Sequence, residues 1–222
     1  MNFELYDVFY KKISTDFLLD SIRCLRLSYN EAFFDCKSDF SWQVAHDARP
    51  IVRRARFEEG WKRVAERYSM QTSFEQNVGK NCYHLRIVNS RVILTAALID
   101  YRVKTVRPAL YRNDYALGNQ NFLFPEMNSS PIVDAPVYAI LMHDVDPLYP
   151  WQPLYADIGF PDSTGKIRGR IRLAERFARV FSENVVETTQ QESAFSGTVP
   201  VEHIEAPGVP VLRDDIKKKD TV

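Results

Sequence analysis

Only three cysteines (Cys24, Cys36 and Cys82) occur in 222 residues, an odd number without CxxC spacing. That argues against a disulfide framework or a cysteine-held zinc and for a reducing compartment. No apolar run approaches the ~20 residues that span a bilayer, so no membrane role is expected. Met1–Asp7 lacks the basic-then-apolar layout of a secretory signal, and a cytoplasmic location follows as the expectation. There is no GxGxxG, GxSxG or HExxH. Ser163-Thr164-Gly165-Lys166 lacks both the first glycine of a phosphate-cradling loop and the hydroxyl residue after the lysine. No cofactor is therefore expected. No zinc-finger, RNP or GXXG signature is present either, so no named nucleic-acid module is implicated.

Net charge is also missing: 29 basic residues balance 29 acidic ones. The balance hides a segregation. Residues 1–48 carry 5 basic and 8 acidic groups (−3), residues 49–112 carry 14 and 5 (+9), and residues 113–222 carry 10 and 16 (−6). Clustered charge makes a local potential even when the total cancels. The 45% apolar and 26% charged content is that of an ordinary globular chain.

Leu18, Ile22, Leu25, Tyr29 and Phe33 recur at spacings of 4, 3, 4 and 4, which predicts an amphipathic helix over 16–33 capped by Ser14 or Thr15. Residues 35–42 read as a connector. A second helix is predicted from Pro50 to Tyr68, capped by Asp47, with Phe57, Trp61, Val64 and Ala65 inward and Arg53, Arg56, Arg63 and Arg67 on an adjoining stripe.

Cys82–Val88 and Arg91–Ile99 are β-prone and flank Asn89-Ser90, which predicts a hairpin with Val88 facing Arg91. One face then holds Tyr83, Leu85, Ile87, Val92, Leu94, Ala96 and Leu98; the other holds His84, Arg86, Val88, Arg91, Ile93 and Thr95. Arg102–Arg107 alternates like a strand with basic groups outward, and Asn121–Phe124 suggests a short one. Further strands are expected at 137–142, 154–160 and 167–173, then a closing helix over 174–181. Strands in succession behind grouped helices predict an α+β fold, with N-terminal helices packed on a mainly antiparallel sheet. The domain is expected to cover 1–182, with a sub-boundary in the proline-rich loop 125–136. Residues 183–222 read as a disordered tail.

Three functional readings follow. The first is a non-enzymatic binding or regulatory protein whose basic residues meet nucleic acid or an acidic protein partner. Its residues are Arg53, Arg56, Arg63, Arg67, Arg86, Arg91, Lys104, Arg107, Arg168, Arg170 and Arg172, with Arg112 near them; guanidinium forks suit phosphate and carboxylate. The second is a metal-dependent hydrolase or nuclease using His143, Asp144 and Asp146, although His143 and Asp144 point to opposite faces if the strand runs through them. His46-Asp47 lacks the upstream histidine that a phosphohydrolase needs. The third is a protein–protein adaptor or immunity-like partner anchored by Tyr149 and Trp151, residue types favoured at interfaces.

Overall fold

The computed structural model describes residues 3–77, 79–80, 82–100, 102, 105–107, 109–124, 126 and 136–182. The tail 183–222, Lys104 and most of the 125–136 loop lie outside these residues.

Three helices come first: α1 (Phe3–Lys12), α2 (Thr15–Asp39) and α3 (Trp42–Arg67). Ser14 caps α2, its Oγ accepting the Phe17 N–H at 3.1 Å, which satisfies one of the orphan donors of a helix start. The predicted stripe Leu18, Ile22, Leu25 and Tyr29 is buried. The expected connector is instead helix. Cys36 continues the buried stripe of α2, and only Phe40 and Ser41 separate it from α3. Asp47 therefore sits within α3, exposed beside His46 at 3.2 Å, and caps nothing. Pro50 lies inside the same helix. α2 and α3 touch so closely that a Cβ on Gly60 would meet Cys24 Sγ at 2.7 Å. Trp61, inside this seam, donates its indole N–H to Ser21 Oγ at 2.8 Å.

Six strands form one sheet in chain order: β1 (Gln71–Gln76), β2 (Tyr83–Asn89), β3 (Val92–Leu98), β4 (Val137–Val145), β5 (Pro153–Pro161) and β6 (Ile167–Arg172). All neighbours are antiparallel except β3 and β4, which run parallel. The connection between them carries α4 (Leu110–Leu123), as a parallel pair requires a crossover. The short helices α5 (Leu173–Arg176) and α6 (Ala178–Ser182) close the described chain. The fold is thus α+β with a mostly antiparallel sheet. No described helix is long and apolar enough to cross a membrane.

The β2–β3 register differs from the predicted one by two residues: Val88 faces Ile93 and Asn89 faces Val92, with Ser90 in the left-handed region (φ 54°). An even slip leaves each side chain on its predicted face. Leu85, Ile87, Val92 and Leu94 accordingly enter the core under the helices, while Tyr83 and Leu98 at the strand ends are exposed.

α4 is locked to the sheet's other side by one side chain. Pro161 has no N–H to give to β4, and the buried Asn119 takes over that part of the ladder. Its Nδ2 donates to the carbonyls of Tyr138 (2.7 Å) and Pro161 (2.8 Å), and its Oδ1 accepts the Tyr138 N–H at 2.8 Å. Gly118 allows this approach, since a Cβ there would collide with the Pro136 carbonyl oxygen.

Candidate functional site

The predicted basic residues do not gather into one unpaired face among the described residues. Arg53 turns inward, buried, with its guanidinium 4.5 Å from the centre of the Tyr29 ring. Arg56 bridges Glu31 and Asp35 across the α2–α3 seam. Arg67 meets Asp20 at 3.6 Å and Arg86 meets Glu75 at 3.3 Å. On β6, Arg168 pairs with Asp162 (2.7 Å), Arg170 with Asp157 (2.8 Å) and Arg172 with Glu175 (2.8 Å). Arg63 and Arg107 are exposed, and Arg91 occupies the β2–β3 turn. Lys104 lies outside the described residues.

His143, Asp144 and Asp146 also diverge. β4 runs through the first two, so His143 faces the helices. There its Nδ1 shares a 2.8 Å hydrogen bond with the Tyr29 hydroxyl, and Phe57 packs edge-on against its ring. Burial, reinforced by the positive charge of Arg53, pushes its pKa down to about 3. A buried neutral imidazole of this kind is a core group, not a proton shuttle near neutral pH. Asp144 Oδ1 accepts the Val145 amide. Asp146 organises the β4–β5 loop, its Oδ1 accepting the amides of Leu148 (2.9 Å) and Tyr149 (3.2 Å). Among the described residues no group of three or more His, Cys, Asp or Glu could hold a metal ion.

That loop presents the predicted interface residues. Gln152 N–H donates to the Tyr149 carbonyl at 3.0 Å, and Asp146 N–H to the Gln152 carbonyl at 3.2 Å, which makes a tight turn. Tyr149 meets Trp151 (ring centres 5.4 Å), Trp151 meets Phe33 of α2 (5.5 Å), and Phe33 meets Phe34 (5.2 Å). Four rings therefore run from the loop onto the helical hairpin. Arg49 of α3 lies 4.4 Å above the Phe33 ring. Its Nε is buried without a hydrogen-bond partner, and it makes no ion pair among the described residues. The ends of the run are open: Leu148 is 78% exposed, Tyr149 49% and Phe34 48%. Tyr149 and Trp151 were legible as an aromatic loop. Phe33, Phe34 and Arg49 join them only through the packing of α2 against α3.

The same loop borders a cavity of about 530 Å³ on the sheet's outer side, away from the first three helices. Tyr155, Asp157, Arg170 and Arg172 form its floor, Pro147 and Leu148 one wall, and α5 another. Alternation along β6 brings Arg170 and Arg172 here together, as the sequence predicts. Asp157 faces Arg170 across the β5–β6 pair. It is only 5% exposed, and its carboxyl is pushed up by burial against the opposing pull of Arg170.

No protein family, characterised protein or solved structure matches the chain.

Proposed function

We propose that the chain is a non-enzymatic binding protein that docks an acidic protein partner on the aromatic run Phe34–Phe33–Trp151–Tyr149, with Arg49 as the charged anchor. The carrying observation is the Arg49 guanidinium held over Phe33 without a carboxylate partner among the described residues. The Trp, Tyr and Arg side chains that dominate interface energetics meet there in one place, with an apolar border in Leu148. A partner carboxylate flanked by apolar side chains complements it.

Affinity capture with quantified partner recovery tests this reading. Trp151→Ala and Arg49→Gln should each lower recovery of an acidic partner by about tenfold or more, with folding cooperativity retained. Recovery unchanged in both variants rejects this surface.

A second reading, nucleic-acid contact by the basic middle, draws support from another place. The Arg112 guanidinium lies 5.2 Å from the Tyr111 ring centre and that of Arg86 lies 5.5 Å from Tyr115. Aromatic and guanidinium groups together form base-stacking platforms. Oligonucleotide gel shifts in rising salt test it: affinity should fall steeply with salt, and binding no better than that of a neutral protein rejects it.

A further inference from the structure

The cavity beside α5 has carboxylates that are already engaged and guanidiniums that are not exhausted. Asp146 Oδ1 accepts two loop amides. Asp157 faces Arg170 Nε at 2.8 Å, and Glu175 accepts from Arg172 Nη1 at 2.8 Å. A guanidinium carries five N–H donors, so one ion pair each leaves Arg170 and Arg172 with donors to spare. Arg170 is held in place, its guanidinium 5.3 Å from the Tyr155 ring centre. Pro147, Leu148 and Leu154 set apolar surface beside these donors. A volume of about 530 Å³ is in the range of small-molecule sites.

We propose that this cavity binds a small organic oxyanion, a carboxylate or phosphate monoester on an apolar body, clamped by Arg170 and Arg172. The apolar body lies against Leu148 and Leu154. Asp157 acts as a positioning residue that aims Arg170 and does not itself touch the ligand. The cavity shares Leu148 and the β4–β5 loop with the aromatic run, but its guanidiniums come from β6 and its binding does not require a docked partner.

Titration calorimetry of the full chain with phenyl phosphate, phenylacetate, inorganic phosphate and benzylamine tests the assignment. At least one aromatic oxyanion should bind one-to-one, more tightly than inorganic phosphate or benzylamine. Phenyl phosphate binding better than phenylacetate identifies a phosphate ester as the ligand, and the reverse order identifies a carboxylate. Arg170→Gln would also strand the buried Asp157 carboxylate, so two other variants decide the matter, both checked for an unchanged melting profile. Arg172→Gln should weaken binding about tenfold, and Ala174→Phe, which fills the cavity, should abolish it. No binding of either aromatic oxyanion, tighter binding of benzylamine, or affinity unchanged in both variants overturns the proposal.

Discussion

The side of the sheet that faces α1–α3 and the side that faces α4 use the same strands in different ways. Toward the three helices, Phe9, Phe17, Ile22, Trp61, Leu94, Leu141 and Phe160 join one continuous apolar core. Polar groups there are enclosed and matched, as Tyr29 and His143 are. Toward α4 the apolar cluster is smaller, centred on Ile93, Tyr138, Ile140 and Met142. Around it lie Asn119, the Asp157–Arg170 pair and His84, whose two ring nitrogens are buried without hydrogen-bond partners among the described residues while its ring stacks on Tyr111 at 3.7 Å. The cause is cover. Six strands at ~4.8 Å spacing span about 24 Å, whereas one helix is ~10 Å wide. Three helices can cap such a sheet and α4 alone cannot. Ion pairs and a cavity therefore collect where the apolar cover ends.

The sharpest test of that asymmetry is truncation on each side. Trp61→Ala removes the largest fully buried side chain, and also the donor to Ser21. It should cost about 3–5 kcal/mol, a large share of the roughly 5–15 kcal/mol that keeps an ordinary domain folded. Ile140→Ala, equally buried but in the smaller cluster, should cost about 2–3 kcal/mol. Urea unfolding midpoints measure both. Equal losses would mean that the α4 side is packed as completely as the helical side.

The same contrast explains what could be read from the sequence. α2 and the inner face of α3 bury regular apolar stripes, β4 and β5 are mostly apolar runs buried nearly throughout, and β6 alternates arginine with its other residues; each pattern marks its element. α4 buries Ala116, Asn119 and Phe122 at three-residue spacing. The polar Asn119 at the centre of that stripe breaks the apolar signal, and the neighbouring basic segment reads as strand instead. β1 is a sheet-edge strand with only Phe74 as an apolar residue, so it has no alternation to detect. α1 is only ten residues long, so its buried pair Leu5 and Phe9 repeats too few times to stand out beforehand. Tyr149 and Trp151 are visible because only Pro150 separates them in sequence. Phe33, Phe34 and Arg49 reach them only across a helical hairpin.

Acid sensitivity provides a finer comparison, because one buried histidine lies on each side. His143 is driven from 6.5 to about 3 by burial and by Arg53, and burial also lowers His84. A histidine whose folded pKa is depressed binds fewer protons folded than unfolded. Its contribution is therefore complete above its unfolded pKa of about 6.5 and is lost as pH falls below that value. The slope is at most about 1.4 kcal/mol per pH unit for each group. His143→Gln should flatten the stability profile between about pH 6.5 and pH 4 more than His84→Gln does. The reverse order would place the better-sealed histidine on the outer side.

The smallest effects are expected from ion pairs, and these still differ by side. Arg67 and Asp20 are 3.6 Å apart at the edge of the helical layer, with the arginine side chain 65% exposed. Solvent screens such a pair, and Arg67→Gln should change stability by less than about 0.5 kcal/mol. Arg168 meets Asp162, a carboxylate with 3% side-chain exposure, at 2.7 Å. Burial raises the Asp162 pKa, but bonds from the Thr164 side chain, Arg168 and the Lys166 and Thr164 amides outweigh it and hold the carboxyl below its usual range. Removing one of several donors to a buried carboxylate leaves the others in place, so Arg168→Gln should cost about 1 kcal/mol. Most of that loss should persist in high salt, because a buried pair is screened less than an exposed one. A loss that disappears in salt would mean that the outer side handles charge as a solvated surface does, and that its ion pairs do not substitute for missing apolar cover.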